Sequence, residues 1–279
     1  MTQANTAPLG FEVEPLDSAL GARIHGIDLR TPLTSEVSQG LRDTLYEYQV
    51  LFFRDQPLSD QQHLALAQNF GTPNLYPVNE MLGIHEPLEF VEDGPGKKPV
   101  AAAWHTDVTW LQDPPKIGIL AAQIMPAEGG DTMWCSLYSV YDALSREMRE
   151  RIQNLTVAHA AGPGFVELVI KRFGDEFVAR FEELYGSGSR HPLIRNHEVV
   201  GRPLVYLAGG FMDHIEGQDI DSGRRLLKEL MSIADDPVHQ IRWKWAVDDL
   251  AIWDERSTMH RVDTSHWPEP RRMRRCTIS

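Results

Sequence analysis

The chain has 279 residues, 42% of them hydrophobic and 24% charged, a composition typical of a soluble globular protein with a sizeable core. The net charge of −13 disfavours a nucleic acid or an anionic membrane surface as partner, because their phosphates would be repelled. No apolar run approaches the length of a membrane span, and Met1–Gly10 lacks the charged and apolar segments of a signal peptide. Since the two cysteines also have no disulfide-framework spacing, a cytoplasmic location is expected.

The first predicted elements are two helices with a strand between them. Thr34 or Ser35 is expected to cap the first helix. Its apolar stripe recurs close to the helical period at Val37, Leu41, Leu45 and Tyr48. The apolar run 50–53 predicts the strand. Ser59 and Gln62 match a capping box, which predicts a second helix that ends at Phe70 with Gly71 as its stop.

The rest of the chain is predicted to mix further helices with short, scattered strands. Apolar spacing predicts helices over 140–155, with a break at Ser145, and over 226–233. Strands are predicted over 116–122, 241–245 and 250–253. Residues 78–103 and 160–190 show little periodicity and are expected to be long loops, either at the active site or simply on the surface, which the pattern alone does not separate. Because neither a repeat nor a linker is evident, we expect a single domain over 1–279, a sheet sandwich decorated by helices.

His105 and Asp107, at alternate positions, are candidate metal ligands. On an extended backbone both side chains point to one face, so both can reach the same ion. This short pattern also arises by chance and needs a third ligand, which His260 can supply just after the predicted strand 250–253. Two histidines and a carboxylate on one face of a metal leave positions open for a chelating cosubstrate and for O2. Fe(II) enzymes that activate oxygen use this arrangement.

The other histidines are predicted to be ordinary surface residues. Five of them lie in a capped helix or beside polar or proline-rich segments: His63, His191, His197, His239 and His266. Such side chains usually face solvent. The basic run over 271–275 would, by composition alone, be a solvated tail.

Four short motifs occur in a fixed order along the chain. They are Trp104-His-Thr-Asp-Val-Thr109, Gly129-Gly-Asp-Thr-Met-Trp134, Ala251-Ile-Trp-Asp254, and His260 followed by Arg271 and Arg275. In order and spacing they resemble the taurine/2,4-dichlorophenoxyacetate dioxygenase family of Fe(II)/2-oxoglutarate enzymes. The similarity runs from about Leu16 to the end of the chain.

This resemblance implies a mainly β fold, a double-stranded β-helix (jelly-roll, cupin-like) core with flanking helices. It implies that His105, Asp107 and His260 bind Fe(II). It also implies that Arg271 pairs with the distal carboxylate of 2-oxoglutarate, helped by the hydroxyl of Thr132. A guanidinium suits that role because it offers two parallel donors to a carboxylate.

The resemblance further implies a site for the primary substrate beside these residues. The family's arginine that matches Arg275 contacts an acidic group of the substrate. If 271–275 is a strand, Arg271 and Arg275 share a face, and Arg272 and Arg274 point to solvent or to an acidic neighbour.

Four residues depart from taurine dioxygenase around the expected substrate, where that enzyme carries polar or aromatic groups. These residues are Tyr76, Asn79, Ala101 and Ala161, whereas Phe211 keeps an expected aromatic. The predicted pocket is therefore larger and more apolar, with Arg275 as the remaining anion anchor. A bulkier carboxylate, sulfonate or sulfate ester is expected instead of taurine.

The implied reaction is oxidative decarboxylation of 2-oxoglutarate with O2, which gives succinate and CO2 and hydroxylates a C–H bond of the substrate. If the new hydroxyl lies beside a heteroatom, the product collapses and that bond breaks. Two alternatives remain open: a zinc-dependent hydrolase that uses the same ligands, and a catalytically silent cupin-like binding protein. A homo-oligomer, dimer or tetramer, is also expected.

Overall fold

The computed structural model describes residues 10–279, so all of Met1–Gly10 except Gly10 lies outside the described residues. The strands in this range are β1 (Glu12–Pro15), β2 (Ala22–His25), β3 (Val50–Phe53), β4 (Leu88–Asp93), β5 (Ile117–Ile124), β6 (Thr132–Ser136), β7 (Thr156–His159), β8 (Ser189–Pro192), β9 (Ile194–Asn196), β10 (Pro203–Val205), β11 (Met212–Ile215), β12 (Gln240–Trp243), β13 (Leu250–Asp254), β14 (Thr258–Val262) and β15 (Arg271–Ile278). The helices are α1 (Ser35–Tyr48), α2 (Asp60–Ala67), α3 (Pro77–Met81), α4 (Leu137–Ala143), α5 (Arg146–Ile152), α6 (Gly162–Phe165), α7 (Asp175–Tyr185) and α8 (Ile220–Ala234). None of these described helices is long and apolar enough to cross a membrane.

Two sheets carry the architecture. The larger has seven strands in the order β1-β2-β3-β13-β5-β15-β4, and its pairs are antiparallel except β2 with β3. A three-stranded sheet, β12-β6-β14, shares an apolar cluster with its inner face. Helices α1 and α2 pack against the outer face. The predicted sandwich decorated by helices is therefore present.

The continuous apolar runs of the central strands follow from burial on both faces. Along β3, Leu51 and Phe53 pack outward against the helices, while Phe52 packs inward, stacked on Trp243. Along β13, Ile252 points outward and Trp253 inward. Because successive side chains of a strand alternate between faces, a strand buried on both sides needs apolar residues at every position.

The local helix signals are confirmed. Thr34 caps α1 by accepting a hydrogen bond from the backbone of Val37, and both bonds of the Ser59–Gln62 capping box are present. The predicted break in the next helical stretch is real, since Ser145 is the N-cap that separates α4 from α5. The second helix ends earlier than predicted, at Ala67 rather than at Phe70.

The prediction of two long loops is wrong. Residues 78–103 include β4, and residues 160–190 include α6, a π-helical turn and α7. The signals were present in the sequence, since Phe177, Phe181 and Tyr185 follow a helical spacing in α7. In β4, hydrophobic and acidic residues stand on both faces, so no simple polar and apolar alternation marks the strand.

The prediction that five histidines face solvent is also wrong. All five are buried, with exposures of 0% for His63, 3% for His191, 3% for His197, 6% for His239 and 4% for His266. Hydrogen bonding makes this burial tolerable. For example, Nδ1 of His63 accepts a hydrogen bond from Nε of Arg274 at 3.1 Å. Burial, and next to it the charge of Arg274, lowers the pKa of His63 to about 3.

His63 makes a testable contribution to the pH dependence of folding. Between about pH 6.5 and pH 3 the unfolded chain protonates this histidine and the folded chain does not, so the free energy of unfolding falls with falling pH. The contribution is up to roughly 1.4 kcal/mol per pH unit. We expect His63→Gln to flatten this slope in urea unfolding curves between pH 4 and 7. The control is His85→Gln at an exposed position, which should leave the slope unchanged.

Candidate functional site

The structure brings His105, Asp107 and His260 together, with one ligand atom of each within 4.8 Å of the others. The pairing is set by backbone. His105 and His260 form an isolated antiparallel bridge, in which each backbone N–H donates to the other's carbonyl oxygen, at 3.0 and 2.8 Å. Oδ1 of Asp107 lies 3.6 Å from Nε2 of His105 and 3.8 Å from Nε2 of His260. Two imidazoles and one carboxylate therefore converge on one point.

Polar contacts from neighbouring parts of the chain hold the 105–107 segment in place. The side chain of Thr106 points away from the two ligands, and its hydroxyl lies 3.1 Å from the carbonyl oxygen of Leu207 and 3.0 Å from that of Thr258. The backbone N–H of Asp107 donates to Oε2 of Glu255 at 3.2 Å. The Thr106 hydroxyl and the Asp107 backbone thus both hold this segment in place. Because side-chain directions alternate along an extended backbone, His105 and Asp107 stay on the face opposite Thr106.

The electrostatics leave both imidazoles neutral at neutral pH. Burial, and next the charge of His105, lowers the pKa of His260 to about 3, and burial lowers the pKa of His105. Nδ1 of His105 donates to the carbonyl oxygen of Ala103 at 2.9 Å, so the lone pair on Nε2 faces the cluster. Burial works to raise the pKa of Asp107, but Arg275, His260 and His105 together outweigh it and hold that pKa below its ordinary value. Neutral imidazoles and an ionised carboxylate are the forms that bind a metal.

Trp253 backs the cluster from β13. Its ring lies 5.2 Å from that of His260, and its Nε1 donates to Oε1 of Glu255 at 2.7 Å. Gly118, on the neighbouring strand β5, makes room for this indole, since a Cβ there would collide with the ring. Trp253 therefore lines the site beside His260, and its ring fits there because position 118 is a glycine.

Arg271 and Arg275 lie on the same face of β15, as expected for residues four apart in a strand, and both line the cavity beside the two histidines. Arg272 points away and pairs with Glu92 at 3.1 Å. Arg274 also points away, and pairs with Asp60. The arginines of the basic run thus contact other residues of the protein or line the cavity. They do not form the solvated tail suggested by composition.

Arg271 and Thr132 are in contact. Nη2 of Arg271 lies 3.4 Å from Oγ1 of Thr132, and its Nε donates to the carbonyl oxygen of Gly130 at 2.9 Å. Nε1 of Trp245 also donates to Oγ1 of Thr132, at 2.9 Å, so the hydroxyl keeps its own proton for a further acceptor. Burial lowers the pKa of Arg271 to about 10, which still leaves it charged at neutral pH.

Arg275 is held by two carboxylates. Its Nε donates to Oε1 of Glu89 at 2.6 Å, and its Nη1 donates to Oδ2 of Asp107 at 2.7 Å. The second contact takes one oxygen of Asp107 and leaves Oδ1 turned towards the histidines. Burial works to lower the pKa of Arg275, but Asp107 and Glu89 raise it well above its ordinary value.

Two cavities adjoin the cluster. One of about 50 Å³ is lined by His105, His260, Thr132, Arg271 and Ala101, among others. The other, of about 320 Å³, lies on the side of Asp107 and Tyr76. The first therefore joins the candidate metal ligands to the Arg271–Thr132 pair, and the second opens from the carboxylate side.

Three of the predicted substrate residues belong to one apolar cluster: Tyr76, Ala161 and Phe211. The ring of Phe211 lies edge-on to His105 at 6.3 Å, and the ring of Tyr76 lies 5.3 Å from the guanidinium of Arg275. Asn79 lies on α3 and, among residues 10–279, is not one of those that line either cavity. The geometry thus brings three of these residues and Ala101 to the site, but not Asn79.

Sequence reasoning missed four polar residues around this site: Glu89, Asp93, Glu255 and His266. Glu89 and Asp93 lie on β4, in a segment predicted to be a loop, so their pairing with β15 was not foreseen. Glu255 directly follows the Ala251–Asp254 motif and is fully buried. In the sequence, an acidic residue immediately after a recognised motif is the signal that could have drawn attention to it.

Comparison with known proteins identifies the family. Residues 12–277 match the family model described as "Taurine catabolism dioxygenase TauD, TfdA family". The chain belongs to this family. It is 29% identical to an alpha-ketoglutarate-dependent sulfate ester dioxygenase of Pseudomonas putida, over 98% of this chain and 92% of that one. It is 30% identical to the alpha-ketoglutarate-dependent 2,4-dichlorophenoxyacetate dioxygenase of Cupriavidus pinatubonensis, over 94% and 96% of the two chains.

Solved structures of the family have the same fold. The chain matches AAD-2, solved in complex with Mn(II) and N-oxalylglycine, with a TM-score of 0.82, 28% identity and 96% coverage of both chains. It matches a taurine dioxygenase from Burkholderia xenovorans with a TM-score of 0.79 and 29% identity, over 96% of this chain and 90% of that one. The predicted jelly-roll, cupin-like fold is confirmed.

Metal binding by the three converging residues can be tested directly. We expect His105→Ala to weaken Fe(II) binding by at least about 100-fold. Removing a residue that contacts a metal ligand, but not the metal itself, typically costs up to about 100-fold, and losing a ligand should cost more. Anaerobic titration calorimetry measures this, and His85→Ala at an exposed position is the matched control. Unchanged affinity in a folded His105→Ala protein would remove this residue from the metal site.

Proposed function

We propose that this chain is an Fe(II)- and 2-oxoglutarate-dependent dioxygenase that hydroxylates a small organic substrate and releases succinate and CO2. One observation carries the proposal. Nε2 of His105, Oδ1 of Asp107 and Nε2 of His260 converge beside a buried arginine and a threonine hydroxyl that border the same cavity. The alpha-ketoglutarate in the names of the relatives is the same compound as 2-oxoglutarate, and those names support the assignment.

The three converging residues fit Fe(II). Their donor set is two neutral imidazoles and one carboxylate, the facial arrangement that leaves coordination positions open. When bound, the iron with O2 and 2-oxoglutarate supplies the oxidising power for hydroxylation. Arg275, by taking Oδ2 of Asp107, orients the carboxylate so that a single oxygen faces the metal position. Fixing a ligand through its outer contacts is how proteins set metal geometry.

Arg271 and Thr132 are proposed to bind the distal carboxylate of 2-oxoglutarate. The direct hydrogen bonds of Arg271 go to neutral oxygens, those of Gly130 and Thr132, so its charge is available to an incoming anion. The free proton of the Thr132 hydroxyl adds a further donor. In this buried place, charge-assisted hydrogen bonds are strong.

The primary substrate is proposed to lie among Tyr76, Ala161 and Phe211, next to His105. The apolar cluster around these residues supports a body with hydrophobic surface. Hydroxylation beside a heteroatom would cleave the C–O, C–N or C–S bond, as the sulfate ester and aryloxyacetate in the relatives' names would allow. Those names also support the anionic substrate predicted from the sequence, whereas the two carboxylates on Arg275 weigh against that residue as its anchor.

The alternatives fit the molecule less well. A zinc hydrolase needs a metal-bound water but has no use for the Arg271–Thr132 pair beside the metal position. A silent binding protein would not need three convergent ligand atoms with open space beside them. A single domain over 1–279, a cytoplasmic location and a dimer or tetramer remain predictions, as does the absence of nucleic-acid and membrane partners.

The reaction class is tested by a succinate assay with Fe(II), 2-oxoglutarate and a panel of sulfonates, alkyl sulfates, aryloxyalkanoates and amino-acid derivatives. We expect succinate release that requires both iron and 2-oxoglutarate. Substrate turnover with zinc and without 2-oxoglutarate would favour the hydrolase instead.

The cosubstrate site gives a sharper prediction. Arg271→Leu should raise the 2-oxoglutarate requirement by an amount equivalent to roughly 2–5 kcal/mol, because a buried carboxylate would lose its charged partner. Arg272→Leu, on the opposite face of the same strand, should change it little. Equal effects in steady-state titrations with 2-oxoglutarate would exclude the proposed role of Arg271.

A further inference from the structure

The edge strand β4 places an acid directly opposite each inward arginine of β15. In the antiparallel register, Asp93 faces Arg271 and Glu89 faces Arg275. Residues directly opposite in such a pair have neighbouring side chains on one face of the sheet. The two functional arginines of the site are therefore each accompanied by a carboxylate from the same neighbouring strand.

The two arginine–carboxylate pairs differ in the distance between their charged groups. Nη1 of Arg271 lies 3.9 Å from Oδ2 of Asp93, beyond hydrogen-bond distance, and Nε2 of His266 approaches the same oxygen more closely, at 3.4 Å. Nε of Arg275, in contrast, donates directly to Glu89 at 2.6 Å. Arg271 keeps its charge for a ligand, whereas Arg275 is already neutralised by a protein carboxylate.

The charge of Asp107 does not alter this difference. Asp107 also contacts Arg275, but its charge is directed at the metal position through Oδ1. Glu89 is then the counter-ion of Arg275 that does not also face the metal position. The side chains of Glu89 and Arg275 are only 12% and 13% exposed, so the pair is largely withdrawn from water. An anion that replaced Glu89 would leave a carboxylate buried without its partner, which is costly.

The charged side chains that line the larger cavity are also unfavourable for an anion. Of its charged lining residues within 10–279, Glu80, Asp107 and Asp113 are acidic, and neither lysine nor arginine belongs to the lining. Tyr76 connects this cavity to the guanidinium of Arg275. An anionic substrate would meet like charge here, and like charges disfavour binding.

We propose that Glu89 is a specificity-determining residue: it occupies Arg275, so the primary substrate presents an uncharged group, not an anion, to this side of the site. This inference rests on the proposed function and departs from the anionic substrate predicted from the sequence. It assigns Arg275 to orienting Asp107 and to pairing with Glu89.

The test uses a charged probe and its neutral counterpart, 2,4-dichlorophenoxyacetate and 2,4-dichlorophenoxyacetamide. Binding of each is measured by calorimetry to the anaerobic protein loaded with Fe(II) and 2-oxoglutarate. The wild-type protein should bind the amide more tightly than the acid. Glu89→Gln keeps the size of the side chain and removes the counter-ion of Arg275 that does not face the metal position, so it should shift the ratio of the two dissociation constants towards the acid by about tenfold or more.

Glu92→Gln is the matched control. Glu92 lies on the same strand, faces Arg272 in the same register and pairs with it, but on the exposed face of the sheet. The ratio should not change in this variant. Tighter binding of the acid by the wild-type protein, or the same ratio in Glu89→Gln as in Glu92→Gln, would overturn the proposal.

A second measurement does not depend on the choice of substrate. Acetate is titrated into the protein while the NMR resonance of the Arg275 Nε–H is followed. It should stay unmoved in the wild-type protein and shift in Glu89→Gln; a shift in the wild-type protein would overturn the proposal. Failure of the proposed function is recognised separately, because the wild-type protein would then lack the weak visible absorption of Fe(II) with bound 2-oxoglutarate.

Discussion

The backbone pairing of His105 with His260 is the contact on which the candidate site depends. His105 belongs to no regular strand, and within residues 10–279 its only ladder contact is this bridge to β14. Two hydrogen bonds nonetheless fix its direction, and the imidazole rings lie 4.3 Å apart by their centroids. Asp107 follows two positions later on the same face. A ligand set drawn from distant parts of the chain thus becomes rigid through one pair of backbone hydrogen bonds and the contacts of Thr106 and Glu255.

The second constraint is the burial of charge along β15. Its inward face carries two arginines into the interior of the sandwich, beside apolar side chains such as Met273. Buried guanidinium groups require partners, and the molecule provides them in two ways. Neutral oxygens hold Arg271, which keeps its charge, while carboxylates close around Arg275. The same strand therefore presents one cation suited to an anionic cosubstrate and one already paired.

Much of the local structure could be predicted because its causes are local. The caps at Thr34, Ser59 and Ser145 are decided by a few adjacent residues, and a strand buried on both faces shows as an apolar run. The candidate ligands could be found because His105 and Asp107 form a short pattern within a recognisable order of motifs.

What could not be predicted depends on register between distant segments. That Arg275 meets Glu89 follows from how β15 pairs with β4, and β4 itself mixes acidic and apolar residues on both faces. Burial of His63 has the same origin, since its partner Arg274 lies on β15. No local pattern states which strand becomes a neighbour, so both the Arg275 pairing and the buried histidines were missed.

A crystal structure of the protein with Mn(II) and N-oxalylglycine tests the proposed site most directly. We expect bonds from the metal to Nε2 of His105, Oδ1 of Asp107 and Nε2 of His260. We also expect the distal carboxylate of N-oxalylglycine to lie on Arg271 and Thr132, with Arg275 still on Glu89. A metal bound elsewhere, or the distal carboxylate on Arg275, would contradict it.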